Sequence, residues 1–335
     1  METPTVSVVL PFVAERNWLS QAVDSMLQQT FQDFELLLIN NGNDPESMNT
    51  AETYSKTDKR ISIIRESKTG IAHALNAGVT ALKGSFIARM DADDISTPNR
   101  LYELVTLLEK NPQAGVVSSR VELFPSTETN QGFQRHVDWL NGIIDARQHL
   151  LQSFIDSPVA HPSVMIRSEI FKNHGNYNTG PIPEDYELWL RWMNKGVEFV
   201  KSEKVLLKWR DHPGRLTRSH SNYSESAFRE TKASYLVDWI TKNIEPDRKI
   251  IVCGSSPNIR SKIRLLESKG LNVAAVTDIK QHASNQRLFI PVDQLKNHKD
   301  AFILNLIARH DVRNSIRCFL SDIGRVEGLD FLMAG

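Results

Sequence analysis

The chain has 335 residues, of which 40% are apolar, 8% aromatic and 24% charged, a composition typical of a globular protein. Its 40 Lys and Arg residues balance 40 Asp and Glu residues, so no overall basic field indicates nucleic-acid binding. The length predicts two domains. The two cysteines are widely separated, which fits a reducing compartment, and no apolar run reaches the length of a membrane span, so we expect a cytoplasmic protein.

Short apolar runs alternate with amphipathic segments over the first ninety residues. Strands are predicted at residues 6–10, 34–39, 60–64 and 86–90, and helices at 18–27, from 45 onwards, and at 70–83. In the last of these helices Ile71, Leu75, Val79 and Leu82 are predicted to face inward. Because each strand is almost continuously apolar, the pattern predicts an α/β fold with a mostly parallel sheet covered by helices on both faces.

Three carboxylates directly follow the fourth predicted strand, namely Asp91, Asp93 and Asp94. Thr97 and Pro98 behind them have the pattern of a helix N-cap and first helical residue, which places the acids in a loop at the carboxyl end of a strand. Oxygen ligands in such a loop suit Mg²⁺ or Mn²⁺, which completes its shell with water and substrate phosphates. A solvated turn that also caps the next helix is the alternative interpretation.

The loops after the four predicted strands are expected to lie at one rim of the sheet, because parallel strands are joined by right-handed crossovers. These loops contain Pro11 and Phe12, residues 40–44, residues 67–70, and the acids of 91–94. Four polar loops at one rim predict a cleft large enough for a nucleotide.

The middle of the chain continues the pattern less regularly. We predict a strand at 115–119, an irregular stretch to 135, one helix over 139–154, a strand at 161–167 and an edge strand at 205–210. Pro183, Glu184 and Asp185 begin a further helix, where capping of free N–H groups is by itself a sufficient reason for two acids. Residues 201–232 carry eight Lys or Arg against four Asp or Glu, which indicates either a solvated surface or a patch for phosphates or an anionic membrane.

The alternation of strands and helices restarts after a linker at 243–248. Strands are predicted at 249–253, 273–276, 289–292, 301–307 and near 331, with a helix opening at Pro257. Gly254 and Asp278 occupy positions of a dinucleotide-binding fingerprint, but Gly254 is the sole glycine of that motif, so a scaffold or assembly role is favoured.

Six ordered motifs between residue 5 and about residue 220 resemble those of family two glycosyltransferases. They are Val6-Ser-Val-Val-Leu-Pro11, Leu37-Leu-Ile-Asn-Asn-Gly-Asn43, Gly70-Ile-Ala-His-Ala-Leu-Asn76-Ala-Gly78, Ala88-Arg-Met-Asp-Ala-Asp-Asp94, Pro183-Glu-Asp185 with Trp189 and Arg191, and Arg210-Asp-His212-Pro-Gly214. The resemblance implies a GT-A fold in residues 1–242, followed by the 243–248 linker and a small Rossmann-like α/β domain at 249–335.

The same resemblance implies an inverting, metal-dependent transfer of a sugar from a nucleotide-sugar donor to a glycan or polyprenyl-type, lipid-linked acceptor. O-antigen or capsule-type polysaccharide synthesis is the implied setting, with contact between the basic stretch and the inner face of the cell membrane as a further hypothesis. Asp185 matches the base that deprotonates the acceptor hydroxyl, and Glu184 shapes its surroundings. Mn²⁺ or Mg²⁺ is implied as the cofactor, with Asp93 as principal ligand beside Asp91 and His212.

The remaining implied contacts concern the donor and the acceptor. The nucleotide-sugar is expected to contact Pro11, Phe12, Asn41, Asp44, Lys68, Asn76, Asp91 and Asp94. The acceptor is expected near His161, Trp189, Arg191 and Arg215. Trp189 either stacks on a sugar or belongs to the core, and Arg191 is either structural or a phosphate contact.

One departure concerns the base of the donor. The family often has two aspartates after the second strand, whereas this chain has Asn40 and Asn41, whose amides can still pair with a uracil or thymine edge. A UDP-sugar remains the favoured donor. Two other functions are considered: a sugar nucleotidyltransferase, which is expected to have a Gly-rich basic loop in place of residues 11–16, and a non-catalytic nucleotide-sugar binding module.

Overall fold

A computed structural model describes residues 3–14, 18–125, 131–279 and 287–335. The chain divides into two compact units, one of Met1–His149 with Pro158–Ser224 and one of Leu150–Ser157 with Glu225–Gly335. The predicted boundaries differ from this division in the helix at 225–243 and in the segment 150–157, both of which lie in the second unit.

The described residues of the first unit form an eight-stranded sheet covered by helices. Its strands are β1 Val6–Phe12, β2 Phe34–Asn40, β3 Ile61–Arg65, β4 Phe86–Arg89, β5 Ile95–Ser96, β6 Ala114–Phe124, β7 Met165–Arg167 and β8 Glu198–Arg210. The helices that lie in it or begin in it are α1 Leu19–Leu27, α2 Pro45–Thr57, α3 Ile71–Ala81, α4 Arg100–Lys110, α5 Gln131–Asn141, α6 Ala146–Gln152, α7 Ser168–His174, α8 Glu184–Met193 and α9 Leu216–Ser219. The predicted α/β class is confirmed.

The strand order is β3-β2-β1-β4-β7-β6-β8-β5. The first four strands pair in parallel, so the loops after β1, β2, β3 and β4 lie at one edge, as predicted. Strand β7 is antiparallel to both β4 and β6, which makes the sheet mixed. The core strand β1 is buried along its whole length. Helix α3 packs closely on β1 at Gly78, where an added Cβ would lie only 2.5 Å from Val9 Cγ1, so this approach requires glycine.

Three local predictions in this unit are wrong. Helix α4 begins at Arg100 rather than at Pro98, because residues 95–96 pair with β8 and the Thr97 N–H donates to Leu206 O at 2.9 Å. The strand predicted at the sheet edge over 205–210 is β8, which begins at Glu198 and is not at the edge, because the short strand β5 pairs with its outer side. The single helix predicted over 139–154 is two helices, α5 and α6.

The second unit contains a smaller, fully parallel sheet. Its described strands are β9 Ile250–Cys253, β10 Val273–Asp278, β11 Leu288–Pro291, β12 Phe302–Asn305 and β13 Phe331–Met333, and its helices include α10 Glu225–Asn243, α11 Pro257–Ser268 and α12 His310–Asp322. The order β11-β10-β9-β12-β13 places a topological switch point between β9 and β12. In the described parts of both units, no helix combines the length and the apolar character needed to cross a membrane.

Candidate active site

The three acids that follow β4 form one cluster. Asp91, Asp93 and Asp94 each offer a carboxylate oxygen, and these oxygens lie within 4.8 Å of one another. Among the residues that the structure describes, this is the one group of three or more His, Cys, Asp or Glu side chains gathered so closely. The sequence prediction of an acidic cluster at the rim is therefore confirmed, and we call these residues the acidic loop.

Each acid of this loop has a different partner. Asp91 forms an ion pair with Arg89 at the end of β4. Asp93 Oδ2 lies 2.8 Å from His212 Nε2, in the loop that follows β8. Asp94 is buried, and its Oδ1 accepts the Arg210 backbone N–H at 2.7 Å, whereas its Oδ2 is buried without a hydrogen-bond partner.

The electrostatic surroundings of the acidic loop favour the binding of a cation. Burial raises the pKa of Asp94 well above its ordinary value, and the negative charges of Asp93 and Asp91 raise it further. Burial also raises the pKa of Asp91, although the positive charge of Arg89 opposes that effect. A divalent cation would relieve the repulsion and occupy the orphaned oxygen of Asp94, so an all-carboxylate set with one imidazole nearby fits Mg²⁺ or Mn²⁺.

Two acids at the start of α8 have a separate environment. Glu184 is 4% exposed and its Oε2 accepts the Tyr223 hydroxyl at 2.6 Å. Burial, followed by the charge of Asp185, raises the pKa of Glu184 to about 8. Burial raises the pKa of Asp185 to about 6, while the Tyr186 N–H, which donates to Asp185 Oδ1 at 2.7 Å, acts in the opposite direction. Glu184 is therefore mostly neutral at pH 7 and Asp185 mostly ionised.

Arg89 is a site residue that the sequence reasoning missed. It is almost fully buried, it pairs with Asp91, and its positive charge acts on the pKa values of both Asp185 and Glu184. The charge of Asp91 also acts on the pKa of Asp185, so the start of α8 and the acidic loop are electrostatically one site. The available signal was a single arginine inside an otherwise apolar strand, where burial needs a specific partner.

Asn41, predicted to contact the nucleotide, is used to join two loops of the rim. Its Nδ2 donates to Glu66 O at 3.1 Å and to Lys68 O at 2.8 Å, and its Oδ1 accepts the Gly70 N–H at 2.9 Å. Both amide N–H groups and one lone pair of the amide oxygen are thus bound to the backbone. The side chain positions the loop after β3 against the loop after β2.

The other predicted donor contacts fall into two groups. Asp44 caps α2 by accepting the Ser47 N–H at 2.9 Å, and Asn76 makes a pair of hydrogen bonds, of 2.9 and 3.0 Å, with the Tyr177 backbone. Pro11 and Phe12 end β1 at the rim, and Lys68 is exposed there. Asp44 and Asn76 therefore contribute mainly to local structure, while the rim itself is formed as expected.

The predicted acceptor residues are largely engaged within the protein. His161 is buried with its Nε2 2.9 Å from the Tyr177 hydroxyl, and burial holds its pKa well below the usual range. Trp189 is fully buried against His161 and two further aromatic rings, which supports the core interpretation. Arg191 donates to Glu187 at 2.9 Å and to Asn176 O at 2.6 Å, which supports its structural interpretation.

The basic stretch after residue 201 is also internally engaged. Lys201 is buried and donates to two backbone carbonyls, Lys204 pairs with Glu103, and Arg218 pairs with Asp211. Arg215 stacks at 4.4 Å from the centre of the Trp209 ring, and its charge acts on the pKa values of Asp91 and Asp94. These contacts reduce the charge available for an anionic membrane and place Arg215 near the acidic loop.

Comparisons with known proteins place the chain among glycosyltransferases. The family model described as Glycosyl transferase family 2 matches residues 7–175. The chain is 30% identical over 225 residues to the O-antigen biosynthesis glycosyltransferase WbnJ of Escherichia coli, an alignment that covers 66% of this chain and 85% of WbnJ. It is 26% identical over 256 residues to an uncharacterized glycosyltransferase of Haemophilus influenzae, covering 74% of this chain and 78% of that protein.

Solved structures show a similar fold. The structure of S. aureus TarS 1–349 in complex with UDP-GlcNAc has a TM-score of 0.58 at 13% identity, covering 79% of this chain and 71% of that one. The mannosyltransferase PcManGT from Pyrobaculum calidifontis, in complex with GDP-Man and Mn²⁺, has a TM-score of 0.50 at 16% identity, covering 80% and 70%. At these identities the likeness shows the fold alone, and it confirms the predicted fold class.

Proposed function

This chain belongs to glycosyl transferase family 2, and we propose that it transfers a sugar, with inversion, from a nucleotide donor to a glycan or lipid-linked acceptor. The proposal rests on two groups of carboxylates, the acidic loop, which would bind a cation, and the start of α8, which would accept a proton. The charge of Arg89 acts on the pKa values of acids in both groups. The E. coli relative named for O-antigen biosynthesis favours an acceptor in cell-surface polysaccharide assembly.

The acidic loop would hold a divalent cation beside the donor. We assign Asp93 as the principal ligand, with Asp91 and the unpartnered oxygen of Asp94 as the other protein contributions and His212 orienting Asp93. When bound, Mn²⁺ or Mg²⁺ supplies Lewis-acid stabilisation of the departing diphosphate. The Mn²⁺ in the mannosyltransferase structure supports this assignment by fold similarity.

Asp185 would act as the base. With a pKa of about 6 it is ionised at pH 7 and still basic enough to accept a proton from an attacking hydroxyl. Its Oδ1 accepts the Tyr186 N–H, so we assign the proton transfer to Oδ2. Glu184 is mostly neutral at pH 7 and held by Tyr223, so it adds little negative charge beside Asp185 and does not compete for the proton.

The rim after β1, β2 and β3 would hold the nucleotide. Pro11, Phe12 and Lys68 are the residues that we assign to direct contact, while Asn41 and Asn76 act as positioning residues. A UDP-sugar is the donor that we favour, in keeping with UDP-GlcNAc in the TarS complex, and a GDP-sugar such as that in the mannosyltransferase complex is the alternative. A nucleotidyltransferase is disfavoured by family membership, and a non-catalytic binding module is the outcome that the following experiment would detect.

The test is a screen of UDP-, GDP- and TDP-sugars for nucleoside diphosphate release, with and without manganese, combined with an Asp185→Asn variant. We expect metal-dependent turnover in the wild type, and normal donor binding without turnover in Asp185→Asn. Glu169→Gln, an exposed acid on α7, serves as the matched control and should retain full activity. Donor binding without turnover in the wild type would support the binding module, and unchanged turnover in Asp185→Asn would refute the assignment of the base.

A further inference from the structure

The second unit contains three basic side chains that lie at the carboxyl edge of its sheet. Lys262 of α11 donates to Leu306 O at 3.0 Å, and Arg313 of α12 donates from Nη1 to Ala308 O at 3.1 Å and to Gly335 O at 3.3 Å. Leu306 and Ala308 are two residues apart, directly after β12. The two cations are therefore neighbours at the switch point between β9 and β12, where open α/β sheets bind ligands.

Lys232 of α10 completes this group, which we call the basic cluster. Its Nζ donates to Ile155 O at 3.2 Å. Burial, with the positive charges of Lys262 and Arg313, lowers the pKa of Lys232 to about 8 against the opposing charge of Asp156. The two other cations therefore lie close enough to Lys232 to repel it. Helices α10, α11 and α12 thus each contribute one positively charged side chain to the basic cluster.

Neighbouring charges do not neutralise the basic cluster. The other charged groups that act on the pKa values of its members are Asp156, Glu225, Glu327, Arg229 and Arg317. Arg317 and Glu327 pair with each other at 2.9 Å, which leaves two acidic against four basic side chains. Within the residues that the structure describes, the members of the cluster donate to main-chain oxygens, and none of them pairs with an Asp or Glu side chain.

Arg313 also carries an unused donor. Its side chain is 6% exposed, and its Nε is buried without a hydrogen-bond partner in the described structure. A buried guanidinium donor without an acceptor is costly, and oxyanions are the acceptors that a guanidinium binds best. The unpaired Nε donor and the excess of positive side chains therefore both favour the binding of an oxyanion at this place.

We propose that the basic cluster is a binding site for a phosphate group of a soluble small molecule, separate from the donor site of the first unit. Arg313 forms the base of the site, and the half-buried Lys232 and Lys262 form its rim. A flat bilayer surface cannot reach a guanidinium that is buried to this extent, whereas a phosphate monoester or diphosphate can. The second unit would then sense or store a phosphorylated metabolite.

The recognised part of the ligand is its phosphate rather than a ribose. Asp278, the acid that the dinucleotide fingerprint would assign to ribose hydroxyls, accepts both the Ser255 N–H at 2.9 Å and the Ser255 hydroxyl at 2.8 Å through Oδ2. Its Oδ1 accepts the Ile279 N–H at 2.8 Å. The acid thus fixes the loop after β9, and phosphate contacts carry the binding.

The test uses the full chain, with inorganic pyrophosphate as the probe and a chelator present to suppress metal-dependent diphosphate binding at the acidic loop. Two measurements are made: calorimetric affinity, and the rate at which an acylating reagent modifies Lys232, followed by mass spectrometry. We expect pyrophosphate to bind and to protect Lys232. Lys262→Gln should weaken binding roughly tenfold or more, because one charge-assisted hydrogen bond is lost.

The matched control is Arg264→Gln, which removes an exposed charge from the same helix and should bind as the wild type does. Lys232→Gln, followed by calorimetry alone, serves as a second variant if Lys262→Gln unfolds. Equal binding by the cluster variants and the control, or no binding at millimolar pyrophosphate, would overturn the proposal. Binding to anionic vesicles without binding to pyrophosphate would also overturn it, in favour of a membrane surface. Because no donor and no free metal are present, each of these outcomes leaves the proposed transferase activity untouched.

Discussion

Glu184 is a buried carboxyl whose ionisation state should control the stability of the protein. It is 4% exposed, and burial together with the charge of Asp185 raises its pKa from 4.5 to about 8. At pH 7 the native protein therefore holds Glu184 protonated, whereas the unfolded chain exposes an ordinary ionised glutamate. Folding at pH 7 must bind a proton at this position.

The free-energy cost of that proton follows from the gap between pH 7 and the pKa of the unfolded side chain. The gap is about 2.5 units, and at about 1.36 kcal/mol per unit the native state loses roughly 3 kcal/mol at pH 7. Glutamine has the shape of the neutral acid and can accept the Tyr223 hydroxyl without binding a proton. Because the folded-state pKa is raised, the penalty is small near pH 4, grows as the pH rises, and becomes constant above about 8.

The expected result is that Glu184→Gln is more stable than the wild type by up to roughly 3 kcal/mol at pH 7 and nearly equal to it at pH 4. Urea unfolding followed by tryptophan fluorescence at several pH values measures the difference. Glu187→Gln is the control, since Glu187 lies one turn later and is equally buried but pairs with Arg191 at 2.9 Å. That variant should lose about 1–3 kcal/mol. A Glu184→Gln variant that is no more stable at pH 7, or equally stabilised at pH 4, would refute the reasoning.

Three further outcomes are expected. The pKa of about 6 at Asp185 predicts a kcat/KM that falls about tenfold per unit as the pH drops below 6, and a flat profile across that range would exclude Asp185 as the base. Asn76→Ala removes both hydrogen bonds to the Tyr177 backbone and should lower the unfolding free energy by about 1–3 kcal/mol in urea titration, whereas Thr80→Ala, exposed on the same helix, should change it little. Trp189→Phe should cost about 1–3 kcal/mol of stability with the acceptor KM unchanged, and a raised KM without destabilisation would restore Trp189 as an acceptor contact.

The fold was predictable where burial is continuous in sequence. Strands β1 to β4 were located to within two residues. Burial is nearly continuous along β1 and β2, so their apolar runs are long, and the half-exposed edge strand β3 still carries three isoleucines in five residues. Strand β5 was not located, because two residues are too few to show a periodic pattern. The strand predicted at 161–167 corresponds to β7 in its last three residues, and the antiparallel pairing of β5 and β7 is decided by partners distant in sequence. The inward face of α3 was predicted in part, because Leu75 is buried as expected, whereas Ile71 and Val79 are half-buried and Gly78 packs closely on Val9.

The site was predictable to the extent that its chemistry is local in sequence. The acidic loop and the acids of α8 stand in short motifs, and His212, which the resemblance assigns with Asp93 to the metal, lies beside Asp93. Tyr223 could not be found in this way, because it follows Glu184 by 39 residues and meets it only through the folded structure. Asn41 shows the converse, since an amide that was predicted to contact the nucleotide donates both of its N–H groups to the backbone of a neighbouring loop and accepts a backbone N–H.

Arg89 explains why acids on two separate elements can differ in protonation at one pH. Its charge lowers the pKa of Asp91 and of Asp185, and it also acts on Glu184, where it ranks behind burial and the charge of Asp185. Because Arg89 is buried, its field is weakly screened by solvent and extends to both elements. Asp185 is thereby kept ionised, whereas burial and the charge of Asp185 keep Glu184 neutral, although the Tyr223 hydroxyl that donates to Glu184 lowers its pKa. The division of labour between the two acids therefore depends on a strand residue that precedes the acidic loop by two positions.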